Sequence, residues 1–264
     1  MNSMTTEKQT LSENQHSQYR ERGYVFPLTA FEESEITEFL PQYHRMQALL
    51  PGHADVSRVN WWHKRNDYIY GLATHPNILD LVECILGPNI ILWGSHFFVK
   101  DPRDNSVVPW HQDAQYWPLT PMNATTIYIA FTDCDSGNSC MQVIPSSHRG
   151  KTIRPHKTVD KEEYDLKDEI PHSEFDPSEA IGIELKAGQV SLHDDALIHG
   201  SGPNPSDRLR VGLTFRYSST DVKCDLSIWP TYRAYLVRGV DEYKNNPPGV
   251  IPTEFGAPDR IFPE

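Results

Sequence analysis

Hydrophobic and polar positions divide the chain into a helical first third and a β-rich remainder. The stretch Ser12-Glu13-Asn14-Gln15 predicts the opening of a short helix with Ser12 as its cap. Over residues 32–50, Ile36, Phe39, Leu40 and Tyr43 recur near the helical period, so one apolar face is expected. Pro41 is expected to kink or divide that helix, because proline removes a backbone donor. Over residues 75–86, Ile78, Leu81, Val82, Ile85 and Leu86 make a second apolar face. Pro76 lies early in it and Gly87 just past its end, the order in which helices start and stop.

After Asn89 the period changes. Residues 90–99, 125–132, 141–144, 181–185, 189–192 and 211–217 are short β-rich runs separated by Gly, Pro, Asn and Asp clusters. Such a series predicts an antiparallel sandwich or barrel. Residues 150–179 are charged, contain proline and lack a period, so they are expected to form an insertion acting as a lid or touching substrate. The organisation expected is a flexible leader over 1–15 and one domain over 16–264. Within that domain, 16–88 form a mainly helical cover, 89–220 the core and 221–264 a C-terminal wrap.

Composition narrows the partners. With 38% hydrophobic and 23% charged residues, the chain has the make-up of a globular domain. No apolar stretch approaches the roughly 18–20 residues that span a bilayer. The polar first fifteen residues lack a secretory apolar segment, which points to the cytoplasm. A net charge of −12 argues against nucleic acid or an anionic membrane as the main partner, and no obligate protein partner is inferred. Cys84, Cys134, Cys140 and Cys224 are few and irregularly spaced, as expected of reduced thiols.

Two imidazoles and one carboxylate on one side of a metal are the ligand set that leaves a non-haem iron(II) open on the other. On an extended segment residues i and i+2 face the same way, so His-x-Asp can offer two ligands. His111-Gln112-Asp113 meets that requirement, with His199 as the candidate third ligand from a distant strand. His193-Asp194-Asp195 meets it equally, and spacing alone leaves both open.

A wider set of motifs separates them. Val108-Pro109-Trp110-His111-Gln112-Asp113, followed by Tyr116-Trp117-Pro118, resembles the first signature of the phytanoyl-CoA dioxygenase family. His199-Gly200-Ser201-Gly202-Pro203-Asn204, continuing through Ser206 to Arg210, resembles the second. Between them Pro145-Ser146-Ser147-His148 is similar to the family's Pro-Gly-Ser-His turn, with Ser146 in place of the usual glycine. The resemblance spans roughly residues 90–238. It implies a mainly β fold with flanking α-helices, built on a double-stranded β-helix (a cupin-like jelly roll). It also implies an Fe(II)- and 2-oxoglutarate-dependent dioxygenase using O2, with His111, Asp113 and His199 as metal ligands and His193 as a neighbour.

The co-substrate is a dianion whose far carboxylate suits the planar fork of an arginine. In the resembling family that arginine lies eleven residues past the distal histidine, which is Arg210 here, with Arg208 as the fallback. Ser201 resembles the hydroxyl that supports the same carboxylate. Trp61, Trp62 and Trp117 are candidate substrate contacts, and Lys100 and Arg154 are candidate anion contacts for which solvent-facing charge is the preferred reading. Family members that chlorinate carry a small residue where Asp113 stands, so the resemblance implies hydroxylation. Desaturation, epoxidation or cyclisation by the same oxidant, a divalent-metal hydrolase and a non-catalytic sensor are the alternatives. The acidic surface favours a free small molecule, amino-acid-like or a natural-product intermediate, over a CoA thioester.

Overall fold

The computed structural model describes residues 8–53 and 55–258. In chain order its helices and strands are α1 (Glu13–Arg22), β1 (Tyr24–Thr29), α2 (Glu33–Leu49), α3 (Asp67–Ala73) and α4 (Pro76–Leu86). Next come β2 (Ile90–Lys100), β3 (Val108–His111), β4 (Leu119–Thr120), β5 (Ala124–Ala130) and β6 (Gln142–Val143). Then follow β7 (Lys157–Thr158), β8 (Asp168–Glu169), β9 (Ile181–Gly182), β10 (Gln189–Asp194) and β11 (His199–Ser201). The series ends with β12 (Arg210–Ser219), β13 (Lys223–Cys224) and β14 (Tyr235–Arg238).

The first helix follows from its ends. Ser12 Oγ accepts from the backbone of Gln15 while the Gln15 side chain accepts from the backbone of Ser12, a reciprocal cap. Gly23 closes the helix at φ 87°, where the His148 ring lies too near for any Cβ. α4 starts on Pro76 behind His75 and stops at Gly87. α2 runs unbroken through Pro41. The proline lies on the exposed face, so the Thr37 carbonyl it leaves without an amide partner can turn to water.

A six-stranded sheet in the order β1-β10-β5-β12-β2-β14 faces a four-stranded sheet in the order β3-β11-β6-β9. All the ladders pair antiparallel. The fold is a double-stranded β-helix with helices packed on its outer side. The large sheet has two unlike faces because side chains alternate along each strand. Val211, Leu213, Phe215 and Tyr217 of β12, Ile127 and Ile129 of β5, and Val190 and Leu192 of β10 pack with Phe39, Tyr43, Met46, Ile78 and Leu81 of the helices. Each such side chain contributes about 1.5–3 kcal/mol by leaving water. The residues between them, Thr214 and Arg216, Thr126 and Tyr128, and His193, line a cavity between the sheets.

Several expectations change. β1 is an edge strand inside the stretch expected to be helical, and it pairs Tyr24 with His193. Residues 8–12, assigned to a flexible leader, are docked: Leu11 is buried, Lys8 pairs with Glu83 at 2.6 Å, and the Gln9 amide donates to Asp80. The leader's first seven residues lie outside the described ones. The insertion carries the β7–β8 hairpin and lies against the strand that leads into His111. Val107 exchanges backbone bonds with Glu163 and Asp165, and the amide of fully buried Ile170 donates to Trp110. At the C-terminal end Phe255 bridges to Asn66, and the amide of Asp67 donates to Glu254. Among the described residues no helix is long and apolar enough to cross a membrane.

Candidate active site

His111 closes β3 and Asp113 opens the short 3-10 turn that follows. Gln112 between them is extended (φ −117°, ψ 127°), which turns the flanking side chains to one side. His199 opens β11 directly opposite His111 in the antiparallel register. The His111 and His199 rings lie 4.1 Å apart. Asp113 Oδ1 is 3.6 Å from His111 Nε2 and 4.0 Å from His199 Nε2. Among the described residues these three form a buried group with one ligand atom each, all within 4.8 Å of one another.

The hydrogen bonds fix which nitrogen each imidazole offers. His111 Nδ1 lies 2.8 Å from the Pro109 carbonyl and His199 Nδ1 2.9 Å from the Leu197 carbonyl. A carbonyl only accepts, so Nδ1 donates in both rings and Nε2 is the nitrogen left facing Asp113. Burial, then the adjacent His111, push His199 well below the ordinary histidine range. Burial alone would raise Asp113; His111, His193, His199 and Arg216 outweigh it and hold the carboxyl well below its usual range. Two imidazoles each presenting Nε2 beside an ionised carboxylate suit a divalent cation. Thr126 Oγ1 donates to Asp113 Oδ2 at 3.1 Å, which orients the carboxylate.

The second His-x-Asp comes apart in space. Lys151 holds Asp194 and Asp195, at 2.7 Å and 2.6 Å. His193 instead lies beside the triad, its Nε2 3.7 Å from Asp113 Oδ2 and both ring nitrogens without a hydrogen-bond partner.

The cavity beyond the triad opens to solvent and is lined among others by Phe98, Tyr128, Ser201, Arg210 and Arg216. Arg210 is 3% exposed; its Nη1 donates to the Ser139 carbonyl and its Nε has no partner. Arg208 lies outside the cavity, its fork closed on Asp135 at 2.9 and 2.6 Å. The chain enters β12 only at Arg210, so the two arginines do not share a strand face. Tyr128 hydroxyl is buried without a partner, and a Cβ on Gly212 would meet it at 1.9 Å.

The tryptophans scatter. Trp62 is fully buried in the helix–sheet core and donates Nε1 to the Val56 carbonyl, so it packs and does not line the cavity. Trp61 lies under the Lys64 ammonium and is likewise absent from the lining. Trp117 stacks edge-on against Trp93, with the Arg216 guanidinium 5.4 Å above its ring. Lys100, expected to face solvent, is 1% exposed.

Sequence reading missed Gln112 and Arg216. Gln112 is fully buried, donates to the Thr152 and Ala196 carbonyls and accepts from the Arg154 amide, so the residue between the two ligand positions also anchors the base of the insertion. Alternation along β12 from Arg210 was the available signal for Arg216. Ser146, at the usual glycine of its turn, does adopt φ 67°, held by its amide to Arg22 and its hydroxyl to Glu21.

The mouse (Mus musculus) peroxisomal phytanoyl-CoA dioxygenase is 25% identical over 90% of this chain and 77% of its own length. A probable alpha-ketoglutarate-dependent hypophosphite dioxygenase of Stutzerimonas stutzeri is 27% identical over 82% of this chain and 79% of its own. The solved structure of the apo non-heme monooxygenase ThoJ is 27% identical and superposes with a TM-score of 0.77 over 91% of this chain and 89% of that one. The family profile described as phytanoyl-CoA dioxygenase (PhyH) matches residues 19–212, and the chain belongs to that family.

Proposed function

We propose that this chain is an Fe(II)- and 2-oxoglutarate-dependent dioxygenase that hydroxylates a small-molecule substrate, releasing succinate and CO2. The observation that carries this is the pairing of two features in one cavity: a two-histidine and carboxylate triad, and a buried arginine with an unused donor. A hydrolytic metal site or a sensor needs the first feature and has no use for the second.

His111, Asp113 and His199 would hold the iron, each through the single atom its hydrogen bonds leave free. Arg210 and Ser201 would take the far carboxylate of 2-oxoglutarate, with Arg210 presenting the Nε side of its fork because Nη1 is engaged with Ser139. When bound, iron and co-substrate supply oxygen activation and the oxidising equivalent. The protein contributes orientation and a dry site: the triad, Ser201 and Arg210 are each no more than 7% exposed. The insertion over 150–179 is the proposed lid, tied at its base to Gln112 and along its length to Val107. The carboxylate of Asp113 supports hydroxylation over halogenation, since it occupies the position a halide would need.

The test is anaerobic titration with Fe(II) and 2-oxoglutarate. A visible metal-to-ligand charge-transfer band is expected in the wild type, and loss of substrate hydroxylation in Asp113→Ala. Turnover retained by Asp113→Ala would mean that the triad is wrongly chosen.

A further inference from the structure

We propose that Arg216 binds a carboxylate carried by the primary substrate, which makes the substrates of this enzyme small organic acids. The inference deepens the proposed function and rests on Arg210 as the clamp for 2-oxoglutarate.

The case begins with charge. Arg103, Arg208 and Arg238 each meet a carboxylate at hydrogen-bond distance. Arg216 lines the cavity and forms no ion pair and no side-chain hydrogen bond with any described residue, and its Nε is buried without a partner. Arg216 is half-buried, and a guanidinium drawn part-way out of water with no carboxylate in contact carries a desolvation cost. Asp113 does not satisfy it, because Oδ1 faces the two imidazoles and Oδ2 accepts from Thr126. The Trp117 ring face 5.4 Å away offsets part of the cost but offers no acceptor. Asp113 reaches it only through its field, and no carboxylate of the described residues makes contact with the fork.

Position indicates whose anion it is. Arg210 and Arg216 lie on one face of β12, six residues and about 20 Å of extended strand apart. The far carboxylate of 2-oxoglutarate belongs at Arg210, so the group that reaches Arg216 comes from the other end of the cavity. The surroundings there are built around this side chain. Its cross-strand partner is Gly94, where a Cβ would stand 3.0–3.1 Å from the arginine's Cδ and Cβ, so the stem lies close against β2. His96 lies within its field; burial, then Arg216, hold it down at about 3, so it is neutral, and its buried Nδ1 has no partner. A guanidinium fork with a neutral imidazole beside it is a receptor for a planar carboxylate.

The experiment uses matched acids and amides: phenylacetate and phenylacetamide, octanoate and octanamide, N-acetylalanine and its amide. Each is titrated by calorimetry into the protein loaded anaerobically with Fe(II) and 2-oxoglutarate, and into the metal-free protein. The expected result is at least one acid binding about tenfold or more tighter than its amide, with the preference lost in Arg216→Gln while the 2-oxoglutarate Kd stays within about twofold. Acids and amides binding alike, or no acid binding at all, overturns the proposal. So does an Arg216→Gln protein that loses 2-oxoglutarate affinity and keeps its acid preference, for the side chain then serves the keto-acid end of the co-substrate. Failure of 2-oxoglutarate to bind the wild type would sink the proposed function, and the metal-free titration still decides the acid preference. Where Arg216→Gln does not fold, Arg216→Lys decides: acid affinity weakened and amide affinity unchanged supports the assignment, and equal weakening overturns it.

Discussion

Replacing Arg210 by glutamine removes the cation at the end of the cavity without emptying the space it fills. Its Nη1 is already given to the Ser139 carbonyl, so the two donors left for a ligand carboxylate are Nε and the second terminal nitrogen. Hydrogen bonds to a charged group contribute about 1.5–3 kcal/mol each. Glutamine keeps one neutral donor, so the net loss expected is about 3 kcal/mol, or a rise of roughly 100-fold in the Kd for 2-oxoglutarate. Arg210→Lys keeps the charge and loses the fork, and should fall near tenfold. Arg208→Gln is the matched control, because its fork is spent on Asp135 at the surface, and it should leave the Kd unchanged. Anaerobic titration of the charge-transfer band gives the Kd, and a thermal melt of each variant shows whether the Ser139 contact was needed for folding. A folded Arg210→Gln protein that binds 2-oxoglutarate within about threefold of wild type would refute the clamp and leave Arg210 a structural residue.

Two further substitutions probe the cavity wall from different sides. Gly212→Ala places a Cβ against the Tyr128 ring, 1.9 Å from its hydroxyl, so the ring must swing into the space beside Arg210. A stability loss of about 1–3 kcal/mol and a raised KM for 2-oxoglutarate are expected, read by urea melts and steady-state kinetics; an unchanged KM would show that the ring moves elsewhere. Burial, then the nearby Arg210, push Lys100 down to about 8, whereas in the unfolded chain it would keep its proton to about 10.5. Between those values the unfolded state binds more protons, so this residue makes stability rise with pH. Lys100→Met should therefore be more stable than wild type at pH 7 by up to about 3 kcal/mol, with the gap closing toward pH 10.5. A gap in urea midpoint that does not shrink with pH would refute the burial of a charged amine there.

The parts of the fold set by local chemistry were legible in the sequence. Ser12 with Gln15 marked the start of one helix, and Pro76 with Gly87 both ends of another to within a residue, because caps act through neighbours in the chain. The long strands β2 and β12 were legible because their apolar positions face a core. β1 was not: six residues holding Pro27 become a strand only because β10 offers an edge, which is a tertiary fact. The two His-x-Asp tripeptides were indistinguishable by spacing, and it is Lys151, forty-odd positions away, that takes Asp194 and Asp195 from any metal. Trp62 likewise carries the same apolar signal whether it packs under helices or touches a ligand, and here it packs.

β12 carries two kinds of information in one stretch of chain. Its odd-numbered residues from Val211 to Tyr217 are read by the helices, and the even-numbered Arg210, Thr214 and Arg216 by whatever enters the cavity. Drift at the odd positions is therefore penalised as unfolding, and drift at the even ones as altered chemistry, with little exchange between the two. A descendant of this protein could acquire a new substrate by changing alternate letters of a single strand while its core is inherited intact. The outer tile of helices would never register that the specificity had changed.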